Sequence, residues 1–155
     1  MPKIQIEKDD LVTAMTGSVE NMYWFLDKET GEIFNLFEPS YYDSEEMENP
    51  DAELWDKVEA NEGDRYETVI ICESREAYQI MENFVDSLTD LKAVKDLYKA
   101  LSQRRPFANF KGALNMYPDL REKWFRFHED ALTDQAEDWL DGLGIEYEIV
   151  DKRKL

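Results

Sequence analysis

The chain is poor in the residues that most often announce chemistry. Its 155 residues include one cysteine and one histidine. With Cys72 alone no internal disulfide can form, and with His128 alone no zinc site of the His/Cys type can be assembled. Neither GxGxxG nor GxxxxGK[ST] occurs among its six glycines, so there is no glycine-rich phosphate loop. GxSxG is absent as well, and His128-Glu129-Asp130 places neighbouring side chains about 100° apart on a helix, which is not a catalytic dyad. No window approaches the ~20 apolar residues of a membrane span, and the N-terminus MPKIQIEKDD shows no cleavage-site pattern. These absences lead us to expect a cytoplasmic protein with no cofactor, no metal and no membrane attachment. Binding fits them better than catalysis, although enzyme activity stays an open alternative.

Cations are also scarce. Against 36 acidic side chains there are 18 basic ones, a net charge of −18. Such a charge keeps a protein soluble and repels nucleic acid at long range, so nucleic acid is not an expected partner. The charge is uneven. Residues 1–63 carry 4 basic and 17 acidic groups, whereas residues 103–128 carry 6 and 2 and form the one cationic segment.

What is present reads as one α+β domain over residues 1–155, a length that can bury a core without staples. Residues 9–16 suit a short helix capped by Asp9 and stopped by Gly17. Met22–Leu26 and Glu32–Leu36 are aromatic and β-branched runs joined by Asp27-Lys28-Glu29-Thr30-Gly31, a β-hairpin whose Gly31 supplies the positive φ of the turn. Arg65–Cys72 reads as a third strand in which Cys72 is a small core residue, and Ile145–Ile149 alternates as a last strand. Helices are expected over 75–88, over 91–102 with Asp90 as cap, from Arg105-Pro106, and from Pro118 to about 142, the alternative for the last being two shorter helices with a break near Thr133. Leu91, Val94, Leu97, Tyr98 and Leu101 should face inward on the second of these. The expected fold is a small, mostly antiparallel sheet, made of the N-terminal hairpin, the central strand and the C-terminal strand, covered by the C-terminal helices.

Two stretches compete for function. Residues 38–63 form an acidic loop and short helix, with Asn49-Pro50 at the helix start; Glu38–Glu62 holds ten acids and one lysine. A solvated surface is the plain reading, and mimicry of a nucleic-acid backbone by 38–62 is the sharper one. The cationic segment offers Arg105, Lys111, Arg121 and Arg126 beside Phe107, Phe110, Trp124 and Phe127. These cations either pair with the acidic remainder, hold an anion or phosphate-bearing ligand, or meet a protein partner.

Some of these residues bring a family to mind. Leu26-Asp27 with Thr30-Gly31-Glu32, Ser74-Arg75-Glu76-Ala77-Tyr78, Arg105-Pro106-Phe107 with Phe110-Lys111, and Trp124-Phe125 with Trp139-Leu140 and Leu143-Gly144-Ile145 resemble the bacterial uncharacterised protein family UPF0158, over about residues 8–150. The resemblance implies a bacterial cytoplasmic protein and brings no reaction, cofactor or site. Taken together, the sequence supports an interaction or regulatory module; its partner and oligomeric state are left open.

Overall fold

The computed structural model describes residues 3–17, 21–37 and 52–151. The chain divides into two compact units: residues 1–71 with 135–155, and residues 72–134.

The first unit is built on the hairpin. Strands β2 (Met22–Asp27) and β3 (Ile33–Phe37) pair antiparallel, with Phe25 opposite Phe34. A three-residue strand, β4 (Tyr66–Thr68), adds to the other edge of β2, giving the order β3-β2-β4. Side chains of a strand alternate between faces. Here both faces of β2 are covered, which explains its unbroken apolar run. On one face Tyr23 and Phe25 meet Trp55 of helix α2 (Ala52–Ala60), and Phe25, Leu36, Val58 and Tyr66 form a buried cluster. On the other, the Trp24 indole donates to the Gly17 carbonyl (3.3 Å) at the end of helix α1 (Lys8–Thr16), and Leu26 is fully buried.

The turn is held by side chains as well as by its backbone. The Gly31 amide donates to the Asp27 carbonyl (2.8 Å) and Gly31 has φ +83°. The buried Asp27 carboxylate accepts from the Glu29 amide (2.9 Å) and, in a fork, from Arg65 Nε (3.2 Å) and Nη2 (2.9 Å). Because Arg65 directly precedes β4, this fork ties the hairpin turn to the third strand.

The α+β class is as expected, but the strands form two sheets where the sequence suggests one. Strand β5 (Tyr147–Val150) joins none of β2–β4. It pairs in parallel with an N-terminal strand, β1 (Ile4–Glu7), placing Ile6 opposite Ile149. Ile4-Gln5-Ile6-Glu7 holds only two apolar residues, too few to distinguish a strand from a polar terminus by periodicity. The third strand is also shorter than Arg65–Cys72. Only Val69 extends it, its amide donating to the Trp24 carbonyl (2.8 Å), and Cys72 is half-buried, not a core residue. An apolar run supplies side chains for a strand but not the backbone partner that a strand needs.

The second unit is helical: α3 (Ser74–Asp86), α4 (Leu91–Leu101), α5 (Pro106–Leu114) and α6 (Pro118–Gly142) up to Asp134. Asp90 caps α4 as expected, accepting from the Lys92 (3.0 Å) and Ala93 (3.3 Å) amides. The buried face of α4 is rotated from the predicted one: Ala93, Leu97, Ala100 and Leu101 are inside, Leu91 is 83% exposed and Tyr98 sits at the surface. Two of the four buried positions are alanines, small residues that a hydrophobicity count does not single out but close packing favours. Phe84 and Phe110 close on Trp124 edge to face, with ring centroids 5.3 and 5.0 Å apart. Tyr117 donates to Asp96 on α4 (2.5 Å), an interaction that pushes its hydroxyl up to about 12. Helix α6 is unbroken at Thr133, whose hydroxyl donates to the Glu129 carbonyl (2.7 Å) within the helix. The start of the acidic stretch, including Asn49-Pro50, and the C-terminal tail lie outside the described residues.

Candidate functional site

The four cations singled out by sequence all belong to the helical unit, and all are exposed. Arg105 is the residue before α5 and adopts φ 58°, ψ 58°, the left-handed region. Proline at 106 disfavours the right-handed helical region for the residue before it, and that leaves few conformations from which α5 can start. Asn109 secures the arrangement: its amide donates to the Arg105 carbonyl (3.0 Å) and its side chain to the Arg104 carbonyl (2.6 Å). A non-glycine residue held there is strained by about 1 kcal/mol. We therefore expect Arg105→Gly to leave stability unchanged or raise it by up to about 1 kcal/mol, read as a urea midpoint at constant slope.

Lys111 lies one turn beyond Phe107 on α5, and the Arg121 guanidinium lies over the Phe125 ring, 5.4 Å from its centroid. Phe107 and Phe125 are 38% and 53% exposed. Half-buried His128 stacks on Trp124, with centroids 5.0 Å apart and planes 21° from parallel. Its pKa is lowered, first by burial and then by the positive charge of Lys111, with Glu129 opposing. Arg121 is seven residues before His128, nearly two full turns, so it shares the His128 edge of α6; Arg126, five residues from Arg121, is turned roughly 140° away. Lys111 thus follows Phe107 by one turn of α5 and Arg121 lies over Phe125 on α6, while Arg126 is on another face of α6.

Among the described residues, none of Arg105, Lys111, Arg121 and Arg126 has a carboxylate within ion-pair distance. Ion pairs are formed in the first unit, where Arg65 meets Asp27 and Glu29 and Lys28 meets Glu67 (3.2 Å). A cavity of about 470 Å³ in the helical unit is lined by Phe84, Asp90, Leu120, Lys123 and Phe127, and takes in none of the four. No group of three or more His, Cys, Asp or Glu among the described residues is placed to hold a metal ion.

A second cavity, of about 240 Å³, was not apparent from sequence. It lies in the first unit and is lined by Tyr23, Phe25, Trp55, Val58, Glu59, Glu62 and Thr68. Trp55, Val58 and Glu59 share a face of α2 at i, i+3, i+4 spacing, a signal that could have been read. Its other wall comes from β2, thirty residues away in sequence, and nothing local announces that meeting.

The gathering of charge becomes clearer by unit than by segment. Residues 72–134 hold 10 basic and 11 acidic side chains, a net of −1, and the remaining residues 8 and 25, a net of −17. Almost the whole acidity of the protein belongs to the sheet-bearing unit.

The model of an uncharacterised protein family, UPF0158, matches residues 1–153. The chain belongs to that family. It is similar to a protein of Pseudomonas aeruginosa named UPF0158 protein PA5073, at 28% identity over 142 residues, which is 91% of this chain and 84% of the relative. No solved structure matches it significantly. The family has no established activity, so membership defines relatives and leaves the role of these surfaces to their own chemistry. No helix among the described residues is long and apolar enough to cross a membrane.

Proposed function

We propose that this protein is a non-enzymatic cytoplasmic interaction module, and that the Lys111–Arg121 edge with Phe107 and Phe125 binds an acidic segment of a protein partner. One observation carries the reading: in a chain of net charge −18, these cations have no carboxylate partner among the described residues and stand beside exposed aromatic rings. Aromatic residues and arginine are the side chains enriched at binding surfaces, where a planar guanidinium can grip carboxylates and a ring can be desolvated. The charge balance of the helical unit supports the same reading, since an acidic partner would be repelled by the other unit and not by this one.

The test is capture from a lysate of the source organism at low and moderate salt, with the wild-type chain and Lys111→Glu/Arg121→Glu as parallel baits. A protein retained by the wild type, weakened by salt and lost from the double variant is the expected result. Equal retention by both baits, or no retention by a folded wild-type bait, contradicts the proposal. Thermal-shift measurement with phosphate and nucleotides separates the alternative of an anion-binding site, which requires a shift abolished by the same substitutions.

A further inference from the structure

The cavity of the first unit has a composition of its own. Tyr23, Phe25 and Trp55 supply three aromatic walls. Trp55 stands 6.2 Å from Tyr23 and 6.1 Å from Phe25, nearly perpendicular to the latter at 79°. Rings set at an angle about a void present more than one π-face to whatever enters it. Glu59 and Glu62 stand at the same opening, and the Thr68 hydroxyl donates to Glu62 (3.4 Å), fixing that carboxylate on the cavity wall. Among the described residues, no cationic side chain lines the cavity.

We propose that this cavity binds an alkylammonium group, held by cation–π contact with Tyr23, Phe25 and Trp55 and by the charges of Glu59 and Glu62. Four features select this class of ligand. The π-faces favour a cation over a neutral guest, and quaternary ammonium groups are the ligands for which such aromatic enclosures are best suited. Two carboxylates exclude an anion. A net charge of −17 on the surrounding unit raises the local concentration of any cation. The volume, about 240 Å³, lies below the ~300–1,000 Å³ of sites for drug-sized molecules and suits a headgroup or a single side-chain tip. The site is separate from the cationic edge of the helical unit, and its chemistry is the opposite one.

The same ammonium chemistry can come from a free solute or from a methylated lysine of a protein. Calorimetric titration with choline, with its uncharged tert-butyl isostere, and with a short peptide carrying trimethyl-lysine distinguishes them. Binding of choline, of the peptide, or of both, with the isostere at least tenfold weaker, supports the proposal; choline alone assigns a small solute and the peptide alone a protein ligand. Trp55→Leu is expected to weaken binding at least tenfold. Because Trp55 also packs on the core cluster, Glu59→Gln/Glu62→Gln serves as the second variant, altering exposed groups only and expected to weaken binding several-fold with an unchanged melting curve. Equal binding of isostere and choline, no binding of either cation, or affinities unmoved in both variants would overturn it.

Discussion

Replacing Gly31 by alanine is expected to destabilise the protein by about 3 kcal/mol or more, the combined cost of left-handed strain and a backbone collision. Gly31 has φ +83°, and a Cβ there would fall on the Gln5 carbonyl oxygen. The obstacle is backbone of β1, which cannot rotate away as a side-chain tip would. Either the turn moves off β1, loosening the β1–β5 pair, or the hairpin distorts. Gly63 provides the control. Its φ is +82°, but nothing lies within 4 Å of an added Cβ. Gly63→Ala should therefore show only the conformational strain, about 1–2 kcal/mol. Urea unfolding of both variants separates the two effects, and equal losses would contradict the close approach of the hairpin to β1.

The second large effect is at Asp27. This carboxylate is 4% exposed and receives two hydrogen bonds from Arg65 and one from the Glu29 amide. Asp27→Asn preserves the size but leaves Arg65 only the exposed Glu29 carboxylate (3.3 Å) as a charged acceptor and turns an NH₂ donor towards the guanidinium. We expect a loss of about 2–3 kcal/mol, below the full cost of breaking a buried pair because the Arg65 side chain is 29% exposed. The dependence on pH follows from the direction of titration. Burial raises the pKa of Asp27, but the Arg65 hydrogen bonds, the Glu29 amide and the Arg65 charge together hold it below the ordinary 3.8. A carboxyl that ionises more easily in the folded state stabilises it fully above its unfolded value, and that contribution fades as the pH falls through the folded one. The gap between wild type and Asp27→Asn should be constant near neutrality and shrink below about pH 4. Denaturant curves at several pH values measure it; a gap that widens on acidification contradicts the pairing.

These two sites show which parts of the fold are legible in sequence. The hairpin is legible because its information is local: two aromatic and β-branched runs, an Asp that can bond its own turn, and a glycine where φ must be positive. The helices are legible for the same reason, down to the Asp90 cap. The parallel β1–β5 pair is not: β5 alternates visibly, but β1 has only two apolar residues and lies about 140 residues away. The buried face of α4 was misplaced because Leu91 and Tyr98 outweigh Ala93 and Ala100 in hydrophobicity, while close packing rewards the smaller residues. For the candidate site, the residue types were readable and the grouping was not. Lys111 and Arg121 sit on different helices, and the Phe110–Trp124 contact that joins those helices is not announced by any local pattern. The ammonium cavity needs the same kind of knowledge, because α2 and β2 supply its walls jointly.

The most direct measurement of the central claim is hydrogen–deuterium exchange of the chain with and without a captured partner. Slowed exchange confined to residues 107–128 in the complex is the predicted outcome. Protection over the sheet-bearing unit instead, with residues 107–128 exchanging as they do in the free protein, would contradict it.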